Sequence, residues 1–385
     1  MSGPPQTRLD AQGREWRDPA SVVAQWADAG AADAELLAMT AHGGWWDALA
    51  AARVTLIVTR EYEHLVLAIS AGERPDVSYV RLPHPSGVAF DAARGRLHVA
   101  STRNPNQIFE FGRVSGALER GDVDAGAAPG AGRLVPLRSR YLPGCYYVHD
   151  LAIIGGRLHA NSVGQNAVVA LDGDDAAVVW WPSSIERDGV PLTDRNYIQL
   201  NSIAAGADLA SSFFSASGER PGASRPGDAE YPVDRLGVVY SGATREPVMR
   251  GLTRPHSARL HAGRLWVDDS GYGDVGFETS GRFERVARLP GWTRGLAFAG
   301  GLAFVGTSRV IPRFAQYAPG LDVDRSVCAI HAVDVTSGAV RGSLEFPSGN
   351  QIFAIEPLPA GWTAGLPFGD AGAGAARSLF YSYRT

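Results

Sequence analysis

Two histidines, an arginine and two side-chain amides stand at equivalent points of a repeated pattern, and residues of these types hold metal ions or anions. The segments "SGVAFDAARGRLHVAS" from 86, "HDLAIIGGRLHANS" from 149, "NSIAAGADLASSFF" from 201, "HSARLHAGRLWVDDS" from 256 and "RGLAFAGGLAFVGTS" from 294 share one plan. Each reads as a strand, a tight turn rich in Gly, Ala or Asp, and a second strand. A sixth first strand starts at "QIFAIEPLP" from 351. The opening positions are Ser86, His149, Asn201, His256, Arg294 and Gln351. His84 precedes Ser86 by two residues and shares its face if that strand extends backward, because side chains alternate with period two.

Three imidazoles, His84, His149 and His256, are therefore expected to converge. Neutral imidazole is the commonest protein ligand for zinc, copper and iron, and three of them leave coordination positions open for water or substrate. The expected cofactor is a divalent transition metal, iron or copper ahead of zinc, with no nucleotide cofactor. No carboxylate opens any segment, which disfavours a calcium site of lactonase type. The bland alternative is a hydrated channel whose polar groups join neighbouring strands. Arg294 is read as the holder of an anionic substrate group, or else as the partner of a channel acid such as Asp150. Asp150 itself is a candidate to orient His149 or to act as a base. Asn201, Gln351 and Ser86 would position water or substrate. His42, His64, His98, His159, His261 and His331 are read as structural. Cys145 and Cys328 lie far apart without metal-binding spacing and read as small buried residues.

The elements that must position these groups follow from the repeat. Its spacing leaves room for two further strands per unit, for example 107–112 and 133–137, or 167–171 and 177–182, and four strands make a propeller blade. The strands missing after 351 stand at the other end of the chain, in "VTLIVT" from 54, "HLVLAIS" from 64 and "VSYVRL" from 77. Joining the two ends closes a ring of six blades and removes exposed sheet edges. The expected fold is thus an all-β six-bladed propeller over 51–385, with residues 1–50 forming a helical cap. Ala-rich runs at 19–29 and 31–41, then Trp45, Trp46 and Leu49, carry the helical signal. In a propeller the first strand of each blade lines the channel, so the six opening residues ring one mouth. The long connections 183–200, 216–234 and 308–326 should reach the same face, bringing Arg195, Tyr197, Tyr231, Arg309, Arg313 and Tyr317. Tyr197 and Arg309 join the expected substrate-binding set. The segment 215–228 is rich enough in Gly, Ser and Pro to be a disordered insertion.

Composition narrows the function classes. A 45% apolar and 20% charged chain has ample material for a core, and its net charge of −4 with no basic run argues against a nucleic-acid partner. All 36 of the Lys and Arg positions are Arg, a bias typical of high-GC bacterial genomes. No stretch reads as a signal peptide or spanning helix, so a cytoplasmic protein without a membrane partner is expected. The oligomeric state is open.

The phrases "VHDLA", "LNSIA", "TRPHSARLHAGRLWVDDSGYGDV" and "LPGWTRGLAFAGGLAFVGTSRV" resemble a bacterial family of conserved hypothetical proteins expected to be propellers. The resemblance runs from about residue 50 to 360 and rests on the Pro-His-Ser and Arg-Gly-Leu-Ala-Phe motifs at His256 and Arg294. Where that family has a Cys-His-Leu-Asn-Gly phrase this chain has "IQLNS", and Gln351 stands where the family has an acid. In plan the chain is also distantly similar to gluconolactonases, paraoxonases and strictosidine synthases, which work at the channel mouth. These features lead to an expected metal-dependent enzyme, an oxidoreductase before a zinc hydrolase or lyase, acting on a small anionic metabolite or peptide. The alternatives are a metal-free synthase of strictosidine type using His149, His256 or Asp150, and a non-catalytic ligand- or protein-binding propeller.

Overall fold

The computed structural model describes residues 31–72, 74–114, 116–117, 132–173, 175–369 and 383–384. Six antiparallel sheets, four of four strands and two of five, are arranged as blades, with inner strands Pro85–Asp91, Val148–Ile154, Leu200–Ala204, Pro255–His261, Trp292–Ala299 and Ala354–Pro359 in blades 1 to 6. Most strands read as near-continuous apolar runs because both faces are covered. All of Leu302–Ser308 is buried, for instance. Each of the six buried apolar clusters spans one pair of neighbouring blades, from Val88 and Val66 between blades 1 and 6 to Leu296 and Val275 between blades 5 and 4. A single blade would leave both faces wet, so stability comes from the closed ring.

Closure uses both ends of the described chain, as the sequence implies. Ala354–Pro359 pairs antiparallel with Val54–Arg60, from Thr59 opposite Ala354 to Val54 opposite Pro359. Thr59 clasps the joint: its hydroxyl donates to the Ser86 carbonyl at 2.6 Å and accepts from the Ala354 N–H at 3.0 Å. The blade 6 inner strand begins at Ala354, three residues later than the sequence pattern places it, and Gln351–Phe353 approach as irregular chain.

The expected helical run 19–29 lies outside the described residues. Of the rest, Ala34–Leu37 forms one short helix, α1, and Trp45–Ala52 forms a second, α2. Between them Thr40–Gly43 adds a fifth strand to blade 5. Trp45, Leu49 and Ala52 form one buried face of α2, inserted in the apolar cluster between blades 5 and 6, while Trp46 is only partly covered. No helix among the described residues is long and apolar enough to cross a membrane.

One irregularity repeats around the ring. In blades 1 to 5 the pairing of the inner strand slips near its start, between Pro85 and Val88, Val148 and Leu151, Leu200 and Ser202, His256 and Arg259, and Thr293 and Leu296. Bulges of this kind re-aim side chains. Before four of these strands stands a non-glycine residue in the left-handed region: His84 (φ 45), Tyr147 (φ 51), Gln199 (φ 50) and Arg254 (φ 55). Such conformations cost of order 1–3 kcal/mol each and cluster where a site needs them.

Candidate active site at the channel mouth

The left-handed entries and bulges bring two rings of side chains to one mouth. A cavity of about 100 Å³ there is lined by Tyr147, His149, Gln199, Arg254, His256 and Arg294, with Arg309, Asn350 and Gln351 at its edge and several aromatic rings on one wall. Directly below, a pocket of about 10 Å³, the space of one water, is lined by His149, Asn201, His256 and Arg294 from above and by Asp150 and Arg259 from beneath.

His256 has the clearest protonation state. Its Nδ1 lies 2.8 Å from the Arg254 carbonyl, which can only accept, and 3.0 Å from Ser270 Oγ, whose own hydrogen goes to the Thr293 carbonyl at 2.6 Å. Nδ1 therefore carries the proton and Nε2 keeps its lone pair. Burial, then the positive charge of Arg294, the neighbouring His149 and Arg254, hold this imidazole well below its ordinary range. His149 packs between the rings of Tyr147 and Phe353, with centroids 4.8 and 5.5 Å away. Burial and the same two guanidiniums depress it too, while Asn201 works in the opposite sense. Both rings are neutral bases at neutral pH. Asn201 donates through Nδ2 to Ser217 Oγ (2.9 Å) and the Pro255 carbonyl (2.8 Å). Its Oδ1, Gln351 Oε1 and His149 Nδ1 are buried and find no partner at hydrogen-bond distance.

The charge of the mouth is positive. Arg254 donates to Gln199 Oε1 at 2.6 Å and lies 4.4 Å above the Tyr317 ring, and its buried Nε has no partner. Arg294 lies 3.3 Å from the centroid of Phe353. Burial brings both guanidiniums down to about 10, still charged at neutral pH. Among the described residues neither forms an ion pair with a carboxylate. Glu61 lines the same pocket, accepts from the Thr102 hydroxyl, lies beside Arg103 and His84, and favours the charged form of Arg294.

Other candidates lie elsewhere. His84 does not join His149 and His256: its ring stands 4.4 Å from that of His64, its Nδ1 is 3.7 Å from Glu61, and its side chain is a third exposed. The reason is its positive φ, since the strand is not extended at 84 and period-two alternation does not carry back from Ser86. Among the described residues no group of three or more His, Cys, Asp and Glu side chains is arranged to hold a metal ion. The residues do not fit a three-histidine centre, and the nearest full charges are guanidiniums that repel a cation. Asp150 is held beneath the floor by Arg259 (Oδ2–Nη1 2.8 Å) and accepts from the Ile203 N–H, so it pairs with neither Arg294 nor His149. Ser86 is fully buried and donates to the Val148 carbonyl at 2.8 Å, joining blades 1 and 2. Tyr197 donates to Asp194 away from the mouth, and Arg195 pairs with Asp228. Arg309 lines the edge and donates to the Pro347 carbonyl, while the side chain of Arg313 lies outside the described set. Cys145 is exposed rather than buried, and Cys328 is buried. The residues missed from sequence include Glu61, Tyr62, Trp292 and Phe314, and also Tyr147, Gln199 and Arg254. Tyr147, Gln199, Arg254 and Trp292 each stand two positions before an opening residue, as His84 does, and that repeated offset was the available signal.

Fold and site together define a closed six-bladed β-propeller with a cationic, imidazole-floored pocket at one mouth. The chain belongs to the DUF4915 family, a domain of unknown function, whose model matches residues 43–364. A comparison with curated protein sequences finds no match. Among solved structures, a chain of the nidogen/laminin complex is 9% identical with a TM-score of 0.53, the alignment covering 80% of this chain and 99% of that one. A gluconolactonase of Xanthomonas campestris is 15% identical (TM-score 0.44, 77% and 86% covered), and a calcium-binding regucalcin of Agrobacterium tumefaciens is 12% identical (TM-score 0.41, 66% and 72% covered). At 9% identity the likeness to the nidogen/laminin chain is one of fold alone.

Proposed function

We propose that the protein is an acid–base enzyme that binds a small anionic metabolite between Arg254 and Arg294 and moves a proton with His256. The observation that carries this reading is the pair of guanidiniums, Arg254 buried and Arg294 half-buried, that share one pocket with no carboxylate among the described residues at ion-pair distance from either. Burying like charges together is unfavourable, and a bound carboxylate or phosphate relieves it with charge-assisted hydrogen bonds. Beside that anion, Nε2 of His256 offers a lone pair while the Arg254 carbonyl and Ser270 hold the other nitrogen protonated, the arrangement of an oriented general base. His149 and the Asn201 amide oxygen face the one-water space below and supply a second proton acceptor.

Proton exchange tests this directly. Wild type and His256→Gln are incubated in heavy water with a pool of small carboxylates and phosphate esters and followed by NMR. The proposal expects deuterium incorporation into, or conversion of, at least one anionic compound by wild type, slowed by about 10²–10⁴-fold in the variant. Equal rates in the two proteins, or activity on neutral compounds alone, would overturn it.

A further inference from the structure

The cationic floor leaves one wall of the pocket unused. That wall is aromatic. Tyr62 and Phe314 are stacked with centroids 6.5 Å apart and planes 11° from parallel. Trp292 stands edge-on to Phe314 (6.2 Å) and Tyr317 (6.1 Å), and Phe314 lies 5.8 Å from Tyr317. All four line the same cavity as Arg254 and Arg294.

Two observations separate these rings from ordinary packing. None of them belongs to an apolar cluster between blades, whereas Phe304 and Phe346, which do, are fully buried. Tyr62, Trp292 and Phe314 keep partly uncovered surface. Further, Phe314 and Tyr317 sit on the 3₁₀ segment Pro312–Tyr317, inserted between the second and third strands of blade 5, which the propeller does not need for closure. An insertion that places uncovered aromatic surface beside two unpaired cations is built for a ligand with both kinds of surface.

We infer that the anionic group of the ligand is carried on a single flat aromatic ring, so the substrate class is an aromatic carboxylate. This deepens the anion reading above and rests on it. The cavity of about 100 Å³ is smaller than the ~150 Å³ that takes up one benzene ring, so it admits no more than a single ring and the rest of the ligand must lie at the mouth. The chemistry agrees as well. Arg254 stacks on Tyr317 and Arg294 on Phe353, so a protein ring covers one face of each guanidinium, and edge N–H groups such as the unpartnered Nε of Arg254 remain for a carboxylate. A ring seated against Trp292 and Phe314 would meet them in the edge-on and offset geometries that aromatic pairs prefer.

Calorimetric titration of the full-length protein with phenylacetate, acetate and phenylacetamide tests the inference. Phenylacetate is expected to bind roughly tenfold or more tightly than acetate, and phenylacetamide more weakly than either. Phe314→Ala should narrow the gap between phenylacetate and acetate. Equal affinity for phenylacetate and acetate overturns the aromatic assignment and leaves the anion reading standing. Equal affinity for phenylacetate and phenylacetamide overturns the anion reading instead, and binding of none of the three at millimolar concentration overturns both.

Discussion

Arg254 and Arg294 are placed where a packing argument would put apolar side chains. Arg254 is buried and Arg294 half-buried, both lower the pKa of the neighbouring imidazoles, and the compensation within the chain is one amide oxygen, two aromatic faces and the charge of Glu61 toward Arg294. Groups retained in this way for binding commonly reduce stability. Arg294→Met is therefore expected to abolish anion binding while leaving unfolding free energy equal or higher. A loss of more than about 2 kcal/mol in urea titration would show the guanidinium to be structural. A second expectation follows from the imidazoles. Burial and the two guanidiniums hold His149 and His256 well below the ordinary value of 6.5, so neither takes up a proton between roughly pH 8 and pH 6. Anion affinity should be flat across that interval, and a rise with a midpoint near 6.5 would show that one of them titrates normally. At this scale the sequence was half legible. The opening residues His149, Asn201, His256, Arg294 and Gln351 could be read from the repeat, whereas the metal site drawn from His84 assumed an extended backbone that φ 45 denies.

The inner strands gain their function from where they are irregular. Gly295 follows Arg294 with φ 87, and its N–H donates to Ser257 Oγ at 2.8 Å, locking the bulge of blade 5 against blade 4. A Cβ there would meet Ile355 Cγ1 at 3.0 Å. Gly295→Ala is expected to cost about 1–3 kcal/mol and to weaken anion binding as well, because it displaces Arg294. The joint at Thr59 gives a prediction without a functional component: Thr59→Val leaves the Ala354 N–H without its acceptor and should lower stability by about 1–3 kcal/mol with affinity unchanged. Hairpins were legible because β-branched runs end at Gly, Asp and Asn, while strand limits slipped, as at Leu134–Leu142, expected at 133–137, and at Ala354–Pro359, expected from 351. The left-handed entries were not legible, because His84, Tyr147, Gln199 and Arg254 carry none of the glycine that usually marks such a position.

For the whole molecule, six apolar clusters between six blades make the ring cooperative, and the closure of blade 6 by both chain segments could be counted from sequence since an open propeller leaves sheet edges unpaired. What sequence does not convey is the charge balance of the interior. His331 is sealed between Thr307 Oγ (3.0 Å) and Ser343 Oγ (2.7 Å), and burial brings it down to about 4. Its folded value is below the unfolded one, so its contribution is intact above pH 6.5 and is lost as pH falls toward 4, where only the unfolded chain takes up the proton. Relative to His331→Gln, wild type should lose up to ~3 kcal/mol across that interval in urea titrations. A constant difference would place a charged or solvated imidazole there.

The anion pocket itself is open to one direct measurement: anomalous diffraction from crystals of the wild-type protein soaked in bromide. The account predicts a bromide peak at the channel mouth within hydrogen-bond reach of both Arg254 and Arg294, absent from Arg294→Met crystals treated alike. A mouth without a peak, while bromide occupies other arginines of the same molecule, would contradict it.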